Sequence, residues 1–250
     1  MRNIKIYSII FIFIILPCDG CVSLNDSVDY KLSLDNIKLE AGISNHKILM
    51  GESSELLFSL SCPKIETGEK VPFVIALHFA GRKTPHFAEN YLRFLVDPAL
   101  KDLNAIIFAP DSPNDNWNNK ESENVILQFL DKALKTWPID PNKIVITGYS
   151  NGGNGTWYMI DKHSYKFSAA IPMAALPNGR LKSKVPTYII HGKRDELFDW
   201  KESEKAYRIL NEKGAHVRIE VGEYLSHYQV DKYIPLLKNA SKWLKADVWD

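Results

Sequence analysis

Cysteine is scarce. Three in 250 residues, at positions 18, 21 and 62, cannot supply a disulfide framework. Cysteine and histidine do not cluster at zinc-ligand spacing, so neither a structural nor a catalytic metal is expected. An excess of charge is also missing: 31 Lys and Arg stand against 30 Asp and Glu, a formal net charge of +1. No global field of either sign draws the chain to nucleic acid or to an anionic membrane surface, which leaves a neutral or locally recognised ligand. Nothing repeats at a fixed period and no low-complexity tract occurs, which excludes solenoids and propellers. The apolar run Ile9-Ile10-Phe11-Ile12-Phe13-Ile14-Ile15-Leu16 is too short to span a bilayer as a mature helix.

That run nonetheless carries information. Arg2 and Lys5 precede it and Pro17 follows it, the arrangement of a secretory signal over residues 1–20. Cys21 follows Gly20, as in bacterial lipoproteins whose cysteine takes the lipid and becomes the mature N-terminus, although Asp19 departs from the usual small or apolar choice. Two outcomes stand side by side: simple cleavage, or anchoring through a lipidated Cys21. Either places the chain outside the cytoplasm, in the periplasm, in the medium or on the cell envelope. Residues 21–36 are polar enough for a tether or irregular segment, and residues 37–250 form one domain.

Composition within that domain is ordinary for a globular protein, 45% hydrophobic and 24% charged. Strands are expected at residues 45–50 and 55–62, where Leu56, Phe58 and Leu60 alternate with Leu57, Ser59 and Ser61. From Val71 the pattern changes. Short apolar runs at 73–78, 105–109, 144–148, 168–171 and 187–191, with a more polar one at 216–220, alternate with longer segments. Those segments, at 87–100, 122–137, 153–162, 201–213 and 230–244, are the helix candidates. Alternation of this kind is the trace of βαβ units: an α/β fold with a mostly parallel central sheet flanked by helices and an antiparallel N-terminal edge.

The chemistry sits after the 144–148 run, in Gly148-Tyr149-Ser150-Asn151-Gly152. Gly-x-Ser-x-Gly alone is modest evidence; its place directly between a strand and a helix discriminates. A serine there lies on a sharp turn that lifts its Oγ out at the carboxyl end of the sheet and aims the Asn151 N–H at a developing oxyanion. A serine hydroxyl is a poor nucleophile near neutral pH and needs a base, which needs an orienting acid. In this architecture the chain order is Ser, then Asp or Glu, then His. Asp195 follows the 187–191 strand through Gly192-Lys193-Arg194 and is the first candidate for the acid, with Glu196 and Asp199 as competitors. His227, between the last strand and the last helix, is the candidate base. His163 reads as a surface residue, His191 as a structural contact under the acid loop, and His216 as the start of a strand.

The second oxyanion donor is expected in the loop after the 73–78 strand, His78-Phe79-Ala80-Gly81, with the Ala80 N–H first and the Phe79 N–H second. His78 itself reads as a structural hydrogen-bonding group. Trp117 lies in a loop that borders the site in such folds and is either a substrate contact or an aromatic plug. Trp157 and Tyr158 read as core.

The stretch Gly148 to Trp157 (Gly-x-Ser-x-Gly-Gly-x-Gly-Thr-Trp), preceded by Ile139-Asp140-Pro141-Asn142-Lys143-Ile144, resembles secreted α/β-hydrolases of the predicted-peptidase, phospholipase/carboxylesterase-like and polyhydroxyalkanoate-depolymerase-like groups. The resemblance covers roughly residues 71–244. It implies a cofactor-free serine hydrolase with Ser150, Asp195 and His227 as triad and Ala80 and Asn151 as oxyanion donors. Two positions depart from the pattern: Phe79 stands where such proteins usually have glycine after the histidine, and Asn151 where they often have Met or Gln. A small or polymer-derived carboxylic ester is the expected substrate. A peptidase of the same fold and a non-catalytic binding module that keeps the fold are the alternatives. The oligomeric state is not legible.

Overall fold

The computed structural model describes residues 34–50, 54–81 and 84–250. The expected signal over 1–20, Cys21 and most of the 21–36 tether lie outside the described residues.

Eight strands make one sheet: β1 Gly42–Met50, β2 Ser54–Cys62, β3 Val71–Leu77, β4 Ile106–Pro110, β5 Ile139–Tyr149, β6 Ala169–Met173, β7 Thr187–Gly192 and β8 Val217–Gly222. Their spatial order is β1-β2-β4-β3-β5-β6-β7-β8. β1 and β2 pair antiparallel, β2 joins β4 antiparallel, and every pairing from β4 through β3 to β8 is parallel. This is the α/β-hydrolase architecture with the expected antiparallel edge. The parallel strands β4, β6 and β7 are buried along their whole length, because helices cover both faces of the sheet.

Alternation along each strand sends side chains to two cores. Phe73, Ile75 and Leu77 of β3 face one layer with α3 (Lys120–Thr136) and α4 (Asn151–Lys162), where Phe129 lies ring to ring on Phe108 at a centroid distance of 3.6 Å. Val74 and Ala76 face the other, among Tyr91, Leu95, Leu237 and Trp243. α5 (Trp200–Glu212) links β7 to β8, and α6 (Ile234–Trp243) follows β8.

Three elements differ from the periodicity reading in kind or by more than three residues, each for a local reason. The 87–100 helix is divided into α1 (Phe87–Tyr91), a π-helical turn at Leu92–Val96 and α2 (Asp97–Leu100). The widened turn comes just before Pro98, whose ring has no N–H to offer the preceding turn and crowds its carbonyl. β5 starts at Ile139 rather than 144, because Ile139 pairs with Val71 before a register shift carries the strand past Pro141. The 230–244 segment opens with a tighter 3-10 turn, Val230–Tyr233, ahead of α6.

Glu123, in the first turn of α3, joins the two helices on that face. Its side chain is 2% exposed and receives hydrogen bonds from Lys120 Nζ (2.6 Å), Tyr158 OH (2.8 Å) and Lys162 Nζ (3.4 Å), with His163 Nε2 at 3.0 Å. His163 is therefore not the surface residue expected; its side chain is only 17% exposed and turned onto Glu123. Burial pushes the Glu123 carboxyl up, but these four partners outweigh it and hold it at about 2. A carboxylate held below its unfolded value stabilises the fold above about pH 5 and loses that contribution as pH falls toward the folded value. Glu123→Gln is expected to lower the urea midpoint at pH 7 and to close much of the gap to the parent protein at pH 3. Equal deficits at the two pH values would show that the charge of Glu123 does not matter.

Candidate active site

Tyr149 ends β5 and Asn151 begins α4, which leaves Ser150 alone at the corner with φ 54° and ψ −116°. A non-glycine residue rarely occupies that region, and here the surroundings hold it there. Its N–H donates to Met173 O of β6 at 2.9 Å. The flanking glycines are required by space. A Cβ at Gly148 would lie 2.2 Å from Gly152 O, and one at Gly152 would lie 1.8 Å from Leu77 O. The first turn of α4 thus presses on the end of β3, which brings the 78–81 loop beside the serine corner.

Asp195 sits beyond β7 in a turn closed by its own N–H to Gly192 O at 3.2 Å. Its side chain is 0% exposed. Oδ1 accepts the N–H groups of Leu197 (2.9 Å) and Phe198 (2.8 Å), and Oδ2 lies 2.7 Å from His227 Nδ1 and 3.3 Å from His191 Nε2. Burial raises the carboxyl, but the His191 and His227 hydrogen bonds and the two backbone N–H groups prevail and hold it well below the usual carboxylate range. Asp195 is therefore an ionised acceptor, so His227 Nδ1 carries a proton and Nε2 is left to accept. His227 Nε2 lies 2.9 Å from Ser150 Oγ. The structure brings Ser150, His227 and Asp195 into one hydrogen-bonded chain.

The competing carboxylates have other work. Asp199 caps α5 by accepting Lys201 N–H at 3.0 Å. Glu196 accepts the backbone N–H of His227 at 2.9 Å, while Tyr149 OH donates to the His227 carbonyl at 2.8 Å. Both main-chain groups of His227 are thus held by side chains, one from the acid loop and one from the residue before the serine. Burial pushes the Tyr149 hydroxyl up, so it stays a donor. Nothing in spacing or residue type pointed to this clamp, since it exists only where β5, the acid loop and the 223–229 loop converge. His191 takes the structural place expected of it, with Nδ1 2.7 Å from Ser203 Oγ.

Around the corner, Asn151 is the first residue of α4, where an N–H has no acceptor within the helix. Its side-chain amide donates to Asp115 O at 2.7 Å. In the 78–81 loop, Phe79 turns its ring onto Phe87, Tyr91 and Tyr149, whereas Ala80 and Gly81 border a cavity. His78 is structural: Nε2 accepts Ser112 N–H at 3.0 Å, which leaves Nδ1 to donate to Phe79 O at 2.6 Å. Of its two readings, Trp117 has the burial of an aromatic plug. It is fully buried, donates Nε1–H to His78 O at 2.9 Å, and packs so closely on α4 that a Cβ at Gly155 would lie 2.3 Å from its own Cβ. It plugs the space beneath the loop.

Comparison with known proteins agrees with this fold. A family model described as phospholipase/carboxylesterase matches residues 104–243, which include Ser150, Asp195 and His227 but not the 78–81 loop. A Bacillus subtilis (strain 168) protein named hydrolase MhqD is 27% identical over 125 residues, 47% of this chain and 59% of that protein. The bifunctional acetylxylan esterase/xylanase XynS20E of Neocallimastix patriciarum is 27% identical over 90 residues, 33% of this chain and 13% of that enzyme. The solved structure of a thermostable esterase superposes with a TM-score of 0.67 at 22% identity, covering 81% of this chain and 62% of that one, a likeness of fold. The matched part spans less than two thirds of each of these proteins.

The serine corner rests on the contact between Gly152 and β3. Gly152→Ala is expected to cost more than about 3 kcal/mol, since a backbone carbonyl must move to admit one methyl group. Urea unfolding of the purified variant measures it, and a loss under about 1 kcal/mol would show that the corner relaxes freely.

Proposed function

The chain belongs to the phospholipase/carboxylesterase family and has the α/β-hydrolase fold; on that premise we propose that it is a serine hydrolase that cleaves a carboxylic ester through an acyl-enzyme on Ser150. The observation that carries this reading is the relay Ser150 Oγ to His227 Nε2 (2.9 Å) and His227 Nδ1 to Asp195 Oδ2 (2.7 Å). His227 takes the Ser150 proton as Oγ attacks the carbonyl carbon. The N–H groups of Asn151 and Ala80, with Phe79 as the other choice in that loop, stabilise the oxyanion. Collapse of the intermediate breaks the bond to the alcohol oxygen, which receives the proton from His227. Water, deprotonated in turn by His227, then releases the acid and restores Ser150. Throughout, buried Asp195 stays ionised and stabilises the imidazolium without taking its proton.

A fluorophosphonate probe is expected to label the parent protein and to lose that labelling in Ser150→Ala and His227→Ala. Ser150→Ala should lower turnover of an activated acyl ester by about 10⁴ or more. Turnover of peptide amides without turnover of esters would replace the esterase reading by a peptidase. Absence of labelling in the well-folded parent would replace both by a binding module.

Export belongs to the same proposal and rests on residues 1–21: the mature chain begins after residue 20 and lies outside the cytoplasm, free or held by a lipid on Cys21. Mass spectrometry of the mature protein is expected to find the first 20 residues gone, and labelled fatty acid that disappears in Cys21→Ser would identify the anchor. An unprocessed chain retained in the cytoplasm would overturn export.

A further inference from the structure

Beneath the acid stands a buried imidazole that the proposed chemistry leaves unused. His191 is the next-to-last residue of β7, is fully buried and pairs in register with Val221 of β8, so the sheet fixes where its ring goes. A Cβ at Gly192 would lie 2.4 Å from Leu225 O and 2.5 Å from Tyr233 OH, which leaves the end of this strand little room to shift. Nδ1 of His191 lies 2.7 Å from Oγ of Ser203, a fully buried residue of α5 whose hydroxyl also reaches Ala175 O at 3.3 Å. Nε2 lies 3.2 Å from Phe198 O and 3.3 Å from Asp195 Oδ2.

Those two oxygens assign the proton. A carbonyl and an ionised carboxylate only accept, so Nε2 carries a hydrogen and shares it between them, whatever Nδ1 exchanges with the Ser203 hydroxyl. Filling the space would need only an apolar ring; a donor aimed at a buried carboxylate does more, because a hydrogen bond to an ionised group is a strong one. Burial raises the Asp195 carboxyl, and the contact with His191 is foremost among those that hold it low. Charge on Oδ2 that is met by His191 is charge less available to His227. A carboxylate given to His227 alone would favour its imidazolium more strongly and keep the base protonated to higher pH. A general base works best when it is neutral near the operating pH.

We propose that His191 is a positioning residue for the reaction: its Nε2–H holds the Asp195 carboxylate and takes up part of the charge that would otherwise stabilise the imidazolium of His227. This rests on the serine-hydrolase reading above. Among the described residues, other titratable groups also face the pair. The Glu196 carboxylate accepts His227 N–H, and the Tyr149 hydroxyl donates to His227 O. The Tyr233 phenol is pushed up to about 12 by burial, and the Tyr228 ring lies 5.8 Å from that of His227. Of the two cations next to Asp195 in sequence, Lys193 is paired with Glu223 and Arg194 lies over the Tyr224 ring. None of these groups changes when position 191 is substituted, so a comparison there isolates the donor.

Two variants separate the donor from the ring. His191→Phe fills the space without a donor and leaves no room for a water in its place, whereas the amide of His191→Gln extends as far as Nε2 and can still donate to Asp195. The second-order rate of labelling by a fluorophosphonate is measured across the acid limb of its pH profile, where the rate rises as His227 loses its proton. The midpoint of that limb is expected to lie about half a pH unit or more higher in His191→Phe than in the parent, and within about 0.2 unit of the parent in His191→Gln. One midpoint shared by all three proteins would show that His191 only packs. Should the variants not fold, the parent answers alone: NMR of its histidine ring nitrogens is expected to show His191 protonated at Nε2 throughout the limb, and a bare Nε2 would overturn the proposal. A labelled parent whose limb does not move in His191→Phe would sink this inference and leave the hydrolase reading standing. A well-folded parent that never labels would sink the hydrolase reading, and with it the reaction that His191 serves.

Discussion

A Cβ built at Gly152 would lie 1.8 Å from the carbonyl oxygen of Leu77, and the rest of the site depends on that closeness of α4 to β3. Glycine at 148 and 152 lets the first turn of a helix touch the end of the neighbouring strand. With the turn seated there, the chain between β5 and α4 has one residue to reverse direction, and Ser150 takes a positive φ. The same contact sets the loop after β3 beside the helix N-terminus. Trp117 fills the space beneath, which keeps the loop from collapsing onto α4.

A buried carboxylate is costly unless its lone pairs are taken up, and Asp195 shows how completely that is done. Two backbone N–H groups occupy one oxygen and two imidazoles meet the other. The outcome is an acid that stays charged and so dictates the tautomer of His227. Position is fixed separately. Tyr149 and Glu196 hold the carbonyl and the amide of His227, so a residue on an irregular loop is located almost as firmly as one in a strand. Charge on one carboxylate and geometry from a second divide the work that a sequence reading assigns to a single acid.

The cavity follows from the same frame. α3 begins after the loop that carries Trp117, and its polar face meets the space next to Ala80, while its apolar face reaches Phe108 across the sheet layer. Similarity to a Bacillus subtilis hydrolase and to an acetylxylan esterase/xylanase of Neocallimastix patriciarum covers only parts of those proteins. Ser150, His227 and Asp195 stand in one hydrogen-bonded chain, the geometry on which the proposed chemistry rests.

Periodicity alone determined the α/β architecture and the place of all eight strands, seven of them to within three residues. It could do so because a fully buried parallel strand must be apolar throughout and a strand-to-helix corner must have glycine where backbones touch. Boundaries at Pro98 and Pro141 were misplaced because helix and strand periods average over single residues, and a missing N–H acts at one. Trp117 and His163 were undecided or misread for a different reason: an aromatic ring or an imidazole has the same signature whether it faces ligand, solvent or a buried glutamate. The clamp on His227 and the sharing of Asp195 between two histidines were decided only by the tertiary structure. They join residues from three loops whose separation in sequence carries no trace of contact, and hydrogen bonds form where folding brings donor and acceptor within 3 Å or so.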